Sequence, residues 1–299
     1  MTVDLETLKK QMADHIHALQ DDICGALERL DGKARFREDH WKRPGGGGGR
    51  SRVLEEGAFL EKGGVSTSVV FGELEEAFAN KLQGQGRTFW AGGLSLVLHP
   101  RNPHVPTVHA NYRFIHQGSK AWFGGGADLT PYYLQEEDAV HFHRVHKEAC
   151  DRHDPAYYPR YKKACDEYFY LRHREEARGV GGIFFENTGE GLEREFSFVK
   201  DVSRAFLPAY LPIAERRKDT PYTEEQRAWQ ELRRGRYVEF NLVWDRGTIF
   251  GLETKGRTES ILMSLPPRVR WRYDYHPEPG TEEARLVEVL RRPRDWVGA

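Results

Sequence analysis

Apolar and polar positions change period several times along this 299-residue chain. Near the start, Leu5, Leu8, Met12, Ile16, Leu19, Ile23, Leu27 and Leu30 step by three and four. That spacing predicts an amphipathic helix over about residues 2–30, stopped by Asp31-Gly32. The period falls to two further on. In residues 94–99, Leu94, Leu96 and Leu98 alternate with Ser95, Val97 and His99. In residues 108–114, Val108, Ala110, Tyr112 and Phe114 alternate with His109, Asn111 and Arg113. Side chains two apart on a strand share a face. Two strands follow, joined by a short Pro-stiffened link, each with polar groups opposite an apolar row. A plain surface strand also has a polar face, but Ser, His, Asn and Arg are groups that hold carboxylates, metals or protons.

The remaining pattern predicts a short helix over residues 71–81 and a helix over 136–151 carrying His141, His143 and His146. A second helix spans 159–178, with Phe169 and His173 one turn apart. The segment 179–186 turns abruptly into a buried strand. Residues 193–217 read as helix interrupted near Pro208 and Pro212, and 223–234 as helix. Residues 237–244 and 248–253 alternate around Asp245-Arg246-Gly247, a three-residue hairpin signal. Strands are expected at 260–265 and 270–275, and a helix at 281–290. Strands follow strands at hairpin spacing while helices come in blocks. The expected fold is α+β: one domain over 1–299 with a large antiparallel sheet flanked on both sides by helices.

Composition narrows the function. Lys and Arg number 45 against 46 Asp and Glu, a formal net charge of -1. Nothing global draws the chain to nucleic acid or an anionic membrane, so an anionic ligand must be held by local arginine clusters. No apolar run reaches membrane-spanning length, and the first residues are mixed and acidic, unlike a secretory signal. Cys24, Cys150 and Cys165 are odd in number and form no C-x-x-C pair, which points to a reduced, cytoplasmic setting and to packing roles.

The glycine run 45–49, between Arg43 and Arg50, lacks the Lys-Ser/Thr of a phosphate loop. It reads as a flap over about residues 44–50 or as a plain flexible loop. Gly124-Gly125-Gly126 lets backbone approach a ligand or another strand. Asp128 beyond it suits a turn or a functional carboxylate. No dinucleotide turn, nucleophile elbow or H-E-x-x-H helix is present. What remains is a His-rich polar face, many arginines and 12% aromatic residues, ingredients for a flat, polyanionic small molecule. His99, His109, His143 and His173 stand open to two readings, divalent-metal ligation or acid–base and hydrogen-bonding work.

Three long blocks carry a resemblance: W-F-G-G-G-A-D-L-T-P-Y-Y, H-R-E-E-A-R-G-V-G-G-I-F-F-E, and R-R-G-R-Y-V-E-F-N-L-V-W-D-R-G-T followed by R-T-E-S-I-L-M-S-L-P-P. Together they resemble the oxygen-dependent coproporphyrinogen III oxidases of haem biosynthesis, over residues 36–296. The resemblance implies a homodimer formed through residues 237–272. It implies oxidative decarboxylation of two propionates of coproporphyrinogen III to vinyls by O2, giving protoporphyrinogen IX, CO2 and H2O2. No organic cofactor is implied, and a divalent metal in some members only. By position, Ser95, Asn111, Tyr112, Arg113, Lys255, Gly256 and Arg257 resemble substrate contacts. His109 resembles the proton donor, and Asp128 the carboxylate at the pyrrole N–H groups. His99, His109, His143 and His173 resemble metal ligands. The sequence departs from the family at Lys255, Ala164, Ser66 and Glu186-Asn187, the last in place of an acidic Asp pair. A non-catalytic tetrapyrrole binder on the same fold is the competing class, and none of Asp128, Arg113 and His109 is lost as that class would lead one to expect.

Overall fold

The structure, a computed structural model, describes residues 4–80, 83–188, 191–253 and 256–298. The chain opens with α1 (Leu5–Asp31), begun by the Asp4 cap and ended at Gly32, whose φ is 71°. Next come β1 (Arg37–Lys42), β2 (Gly47–Glu55), β3 (Leu60–Glu73), the single turn α2 (Glu76–Ala79), β4 (Thr88–Pro100), β5 (Thr107–Gln117) and β6 (Lys120–Thr130). Helices α3 (Glu136–Asp151) and α4 (Tyr157–Tyr168) precede the small pair β7 (Tyr170–Leu171) and β8 (Glu176–Ala177), then β9 (Gly181–Thr188). The chain continues through α5 (Leu192–Arg204), α6 (Phe206–Arg217), α7 (Glu224–Val243), α8 (Arg246–Glu253), α9 (Thr258–Leu262) and α10 (Glu282–Arg291).

Seven strands form one antiparallel sheet in the order β1-β2-β3-β4-β5-β6-β9. The period-two pattern sets its sidedness. Leu94, Leu96, Leu98, Val108, Ala110, Tyr112 and Phe114 are all fully buried on one face. On that face Gln20 of α1 donates to the Arg50 and Val65 carbonyls, and Phe123 stacks on Phe196 of α5. On the other face, Ser260 of α9 bonds Ser51, and Met263 lies against Gly64. Helices thus flank both faces of an α+β fold, as the pattern implied.

Several local expectations are overturned. Residues 237–244 are not a strand: α7 starts at a capping box, Thr223 with Gln226, and runs on to Val243. Its buried positions Gln230, Arg234, Tyr237 and Asn241 step by three and four, a spacing that an eight-residue window also reads as alternation. Asp245 does not begin a hairpin turn. Its carboxylate accepts the Thr248 N–H at 2.8 Å and the Thr248 hydroxyl at 2.7 Å, capping α8, so 248–253 is helical too. Residues 260–262 are the end of α9 and 263–265 a turn rather than a strand, and 270–275 form none. Of the helix expected over 71–81, β3 takes the first residues through Glu73, α2 alone is helical, and Lys81 lies outside the described residues. The helix over 159–178 ends at Tyr168, because residues 170–177 fold into the β7–β8 hairpin.

The glycine run is part of a hairpin rather than a plain flexible loop. Pro44 and Gly45 are the central residues of the β1–β2 turn, closed by the Gly46 N–H on the Arg43 carbonyl at 3.0 Å, and Gly47–Gly49 lie within β2. A Cβ on Gly49 would sit 2.3 Å from the Trp41 ring, so close packing of two strands accounts for that glycine. The three cysteines are buried packing residues, as expected. Burial pushes the Cys24 and Cys150 thiols up to about 12 and Cys165 well above its ordinary value.

Burial also holds His146 of α3 down at about 4, with its Nδ1 on the Phe142 carbonyl and its Nε2 unpaired. The unfolded chain takes up a proton there near pH 6.5 and the folded chain does not until about pH 4. Stability therefore falls as pH drops through that window, by roughly 3 kcal/mol from this group at the lower end. His146→Leu should flatten the fall in urea-unfolding free energy between pH 7 and 4.5; an equally steep limb would exonerate His146.

Candidate active site

Strand register lines up the polar groups on the face covered by α9. Cross-strand partners Asp39, Ser51, Ser66, Ser95 and Asn111 form one row over five strands, a span of about 19 Å at the usual strand spacing. Val97, His109, Asp128 and Gly182 form the next row, and Gly93, Arg113 and Gly124 flank it on the other side. A Cβ on Gly124 would meet the Arg113 guanidinium at 2.8 Å, so the missing side chain lets that guanidinium lie across the strand. Ser95, Asn111 and Arg113 are half-buried and face one another across the sheet.

Beneath this surface lies a buried cluster. Asp128 is 1% exposed. Its Oδ1 accepts from His109 Nδ1 at 2.8 Å and from Arg178 Nη2 at 2.9 Å, and its Oδ2 accepts from the same Nη2 at 2.8 Å. Arg178 is 3% exposed and donates its Nη1 to Asn241 at 3.1 Å. Three rings enclose its guanidinium, with centroids 4.1 Å away for Phe169, 4.6 Å for Tyr237 and 4.7 Å for Phe240. Burial opposes ionisation of Asp128, but Arg178 and His109 outweigh it and hold the carboxyl below its ordinary range. The ionised carboxylate only accepts, so His109 donates from Nδ1, and its Nε2 makes no hydrogen bond to the described residues. The His109 ring, edge-on to Phe169, retains 21% side-chain exposure.

Toward β9 the surface meets a cleft of about 1080 Å³ between α4, β9 and the start of α8. Arg160, Arg172, Arg194 and Arg246 line it together with Tyr168 and Trp244. Glu167, Glu186 and Glu195 also line it, so the four arginines are partly balanced; with the aromatic rings they suit a flat ligand carrying carboxylates. Asp128 and His109 are not in its lining. The two regions meet at Glu186, which bonds Arg113 from the sheet at 2.8 Å and Arg246 from α8 at 2.9 Å. They meet again at Tyr168, which donates to Asp245 at 2.8 Å.

The residues implied by resemblance are distributed unevenly. Ser95, His109, Asn111, Arg113 and Asp128 share one face, as the alternation requires. Tyr112 does not: it is wholly buried on the opposite face, reaching the Val202 carbonyl at 3.4 Å. Its side chain cannot be a substrate contact there, because neighbours on a strand point opposite ways. Arg257 lies at the far end of the serine row, pairing with Asp39 and donating to Ser260 at 3.1 Å. Gly256 is exposed, and Lys255 lies outside the described residues. Asp128 does not open onto the surface, so a direct contact with a pyrrole N–H is not available to it in this arrangement.

The four histidines are not brought together, and they do not fit a metal. His99 uses Nδ1 on Thr107 and Nε2 on the Ser264 carbonyl. His143 uses Nδ1 on Tyr158 and Nε2 on the Val180 carbonyl. His173, in the β7–β8 turn, bonds Glu239 and accepts from Trp244. Burial drives His99 well below its ordinary value and His143 to about 3. Among the described residues no group of three or more His, Cys, Asp or Glu is placed to hold a metal ion. Arg178, Glu186 and Arg246 belong to the site although the sequence pattern does not single them out as site residues; an arginine directly before the apolar strand 179–186 is the available signal for the first, since a buried cation needs a carboxylate.

An α+β sheet whose polar face joins a carboxylate–imidazole pair to a cleft of arginines, glutamates and aromatic rings is the kind of site an enzyme acting on a flat, carboxylate-bearing molecule needs. The family model described as coproporphyrinogen III oxidase matches residues 11–296, and the chain belongs to that family. Membership assigns it oxidative decarboxylation of coproporphyrinogen in haem biosynthesis.

Breaking the buried pair has a definite cost. Asp128→Asn strands the Arg178 cation and should lower the unfolding free energy by about 3–5 kcal/mol. The double variant Asp128→Asn/Arg178→Met should recover much of that loss. Chemical denaturation of both checks it: equal losses in the two would mean the pair is not coupled.

Proposed function

We propose that the protein is an oxygen-dependent coproporphyrinogen III oxidase acting as a cytoplasmic homodimer. The observation that carries the chemistry is the buried Asp128 carboxylate behind a partly exposed His109. We assign proton transfer to His109 Nε2, with Asp128 fixing the tautomer and stabilising the imidazolium that forms. A porphyrinogen is electron-rich, and removal of a pyrrole proton eases electron flow to O2. Each propionate, with one O2 and one proton, gives a vinyl, one CO2 and one H2O2. Two electrons leave the side chain with the C–H and C–C bonds that break, and reduce O2 to peroxide. Arg113, beside Asn111 and Ser95, is assigned to a substrate carboxylate.

The dimer reading is supported by apolar groups left exposed around the region that the resemblance implicates: Leu242, Val243, Leu252, Trp271 and Tyr273. No helix among the described residues is long and apolar enough to cross a membrane.

Freshly reduced coproporphyrinogen III, followed by protoporphyrin fluorescence after chemical oxidation, should turn over in air and not under argon. Turnover under argon would overturn the oxygen requirement. The same assay after exhaustive chelation decides the metal question, since loss restored by one divalent ion would require a site other than the histidine set as it stands here. His109→Ala should lower kcat by about 100-fold or more, and Arg113→Ala should raise KM about tenfold, at the scale of a lost charge-assisted contact. Unchanged constants in either variant would remove that residue from its role.

A further inference from the structure

Arg113 and Arg246 reach the site from different elements, and one side chain joins them. Glu186 gives Oε1 to Arg113 Nη2 at 2.8 Å and Oε2 to Arg246 Nη2 at 2.9 Å. Neither contact is a two-pronged fork. The side chains are partly open, at 28% for Glu186, 29% for Arg113 and 64% for Arg246. Ion pairs this exposed contribute little, so an arriving carboxylate can replace one of them. Asp128 and Arg178 differ: both are buried, three rings enclose the guanidinium, and its Nη2 bonds both carboxylate oxygens.

We propose that Glu186 is an exchangeable internal counter-ion for Arg113 and Arg246. It yields to a substrate propionate on binding and takes the arginines back when that propionate departs as CO2. The inference rests on the reading of Arg113 as a carboxylate contact. The reaction itself creates the need: it converts an anionic side chain into a neutral vinyl. A guanidinium at a half-buried site is then left without its partner. Glu186 already stands between the two cations with an oxygen for each. It thereby weakens the hold on substrate and product alike and lets a partly processed tetrapyrrole move. Glu186 is a positioning residue here, acting through the arginines.

The test is Glu186→Gln in the full chain, which keeps size and removes charge. The expected result is a KM for coproporphyrinogen III lowered three- to tenfold, a kcat lowered as well, and stronger inhibition by product. Coproporphyrin III, the oxidised fluorescent analogue, should bind more tightly by a similar factor, a readout independent of turnover. Glu186→Asp, which keeps the charge, should return KM and analogue affinity toward wild type. Thermal unfolding of the Gln variant should match wild type within a few degrees. A Gln variant whose KM is unchanged or raised, or one that Asp does not rescue, overturns the inference and leaves Glu186 a structural strut. If the Arg113→Ala variant binds the analogue with wild-type affinity, the carboxylate reading of Arg113 fails, and this inference falls with it.

Discussion

The arrangement of the site depends on one ion pair that water does not reach. Asp128 and Arg178 are each nearly sealed, and burial alone works against a charge on the carboxylate. Each makes the other's charge tolerable. Their geometry also ties together parts of the chain distant in sequence: β6 supplies the carboxylate, the segment before β9 the cation, and α7 supplies Asn241, Tyr237 and Phe240 around it. A substitution on α7 that disturbed the ring enclosure would therefore be felt at His109, with no contact to it required.

Two kinds of charge pairing coexist within a few residues of each other. The inner one is static and defines a tautomer. The outer one, at Glu186, is open to solvent and to exchange. Asp245 is as fixed as the inner pair, but by neutral partners. It is fixed by Thr248 and Tyr168, and although burial pushes its carboxyl up, those hydrogen bonds and the nearby His109 bring it below its ordinary range. Tyr168 stacks on Phe184 with centroids 4.3 Å apart and lies under Arg246. One tyrosine thereby couples the cap of α8 to the wall of the cleft.

Much of this was legible in the chain alone. Period-two alternation at 94–99 and 108–114 located the two central strands and the face carrying Ser95, His109, Asn111 and Arg113. The same alternation argues against Tyr112 as a contact, and position-by-position resemblance overrode it. The span 237–253 misled because a helix with large residues on two sides alternates over short windows, and because Asp-x-x-Thr serves a helix cap as readily as Asp-Arg-Gly serves a turn. The histidine set could not be judged from spacing. Whether four imidazoles converge is decided by tertiary placement, and here each finds its own local hydrogen bonds. The burial of Asp128 was equally invisible, since it follows from a cation fifty residues further along and three rings drawn from two other elements.

The order of strands has a consequence for how the protein comes into being. β1 to β5 each pair with the next strand in the chain, so six of the seven strands lie neighbour to neighbour in sequence order. Asp128 is then in its strand 50 residues before Arg178 exists. Until the cation arrives the carboxylate lacks its partner, and the enclosure of the pair is completed by Phe169 and by the late helix α7. In chain order the scaffold thus precedes the chemistry: a polypeptide ending before residue 178 would hold Asp128 without the cation that makes its burial tolerable.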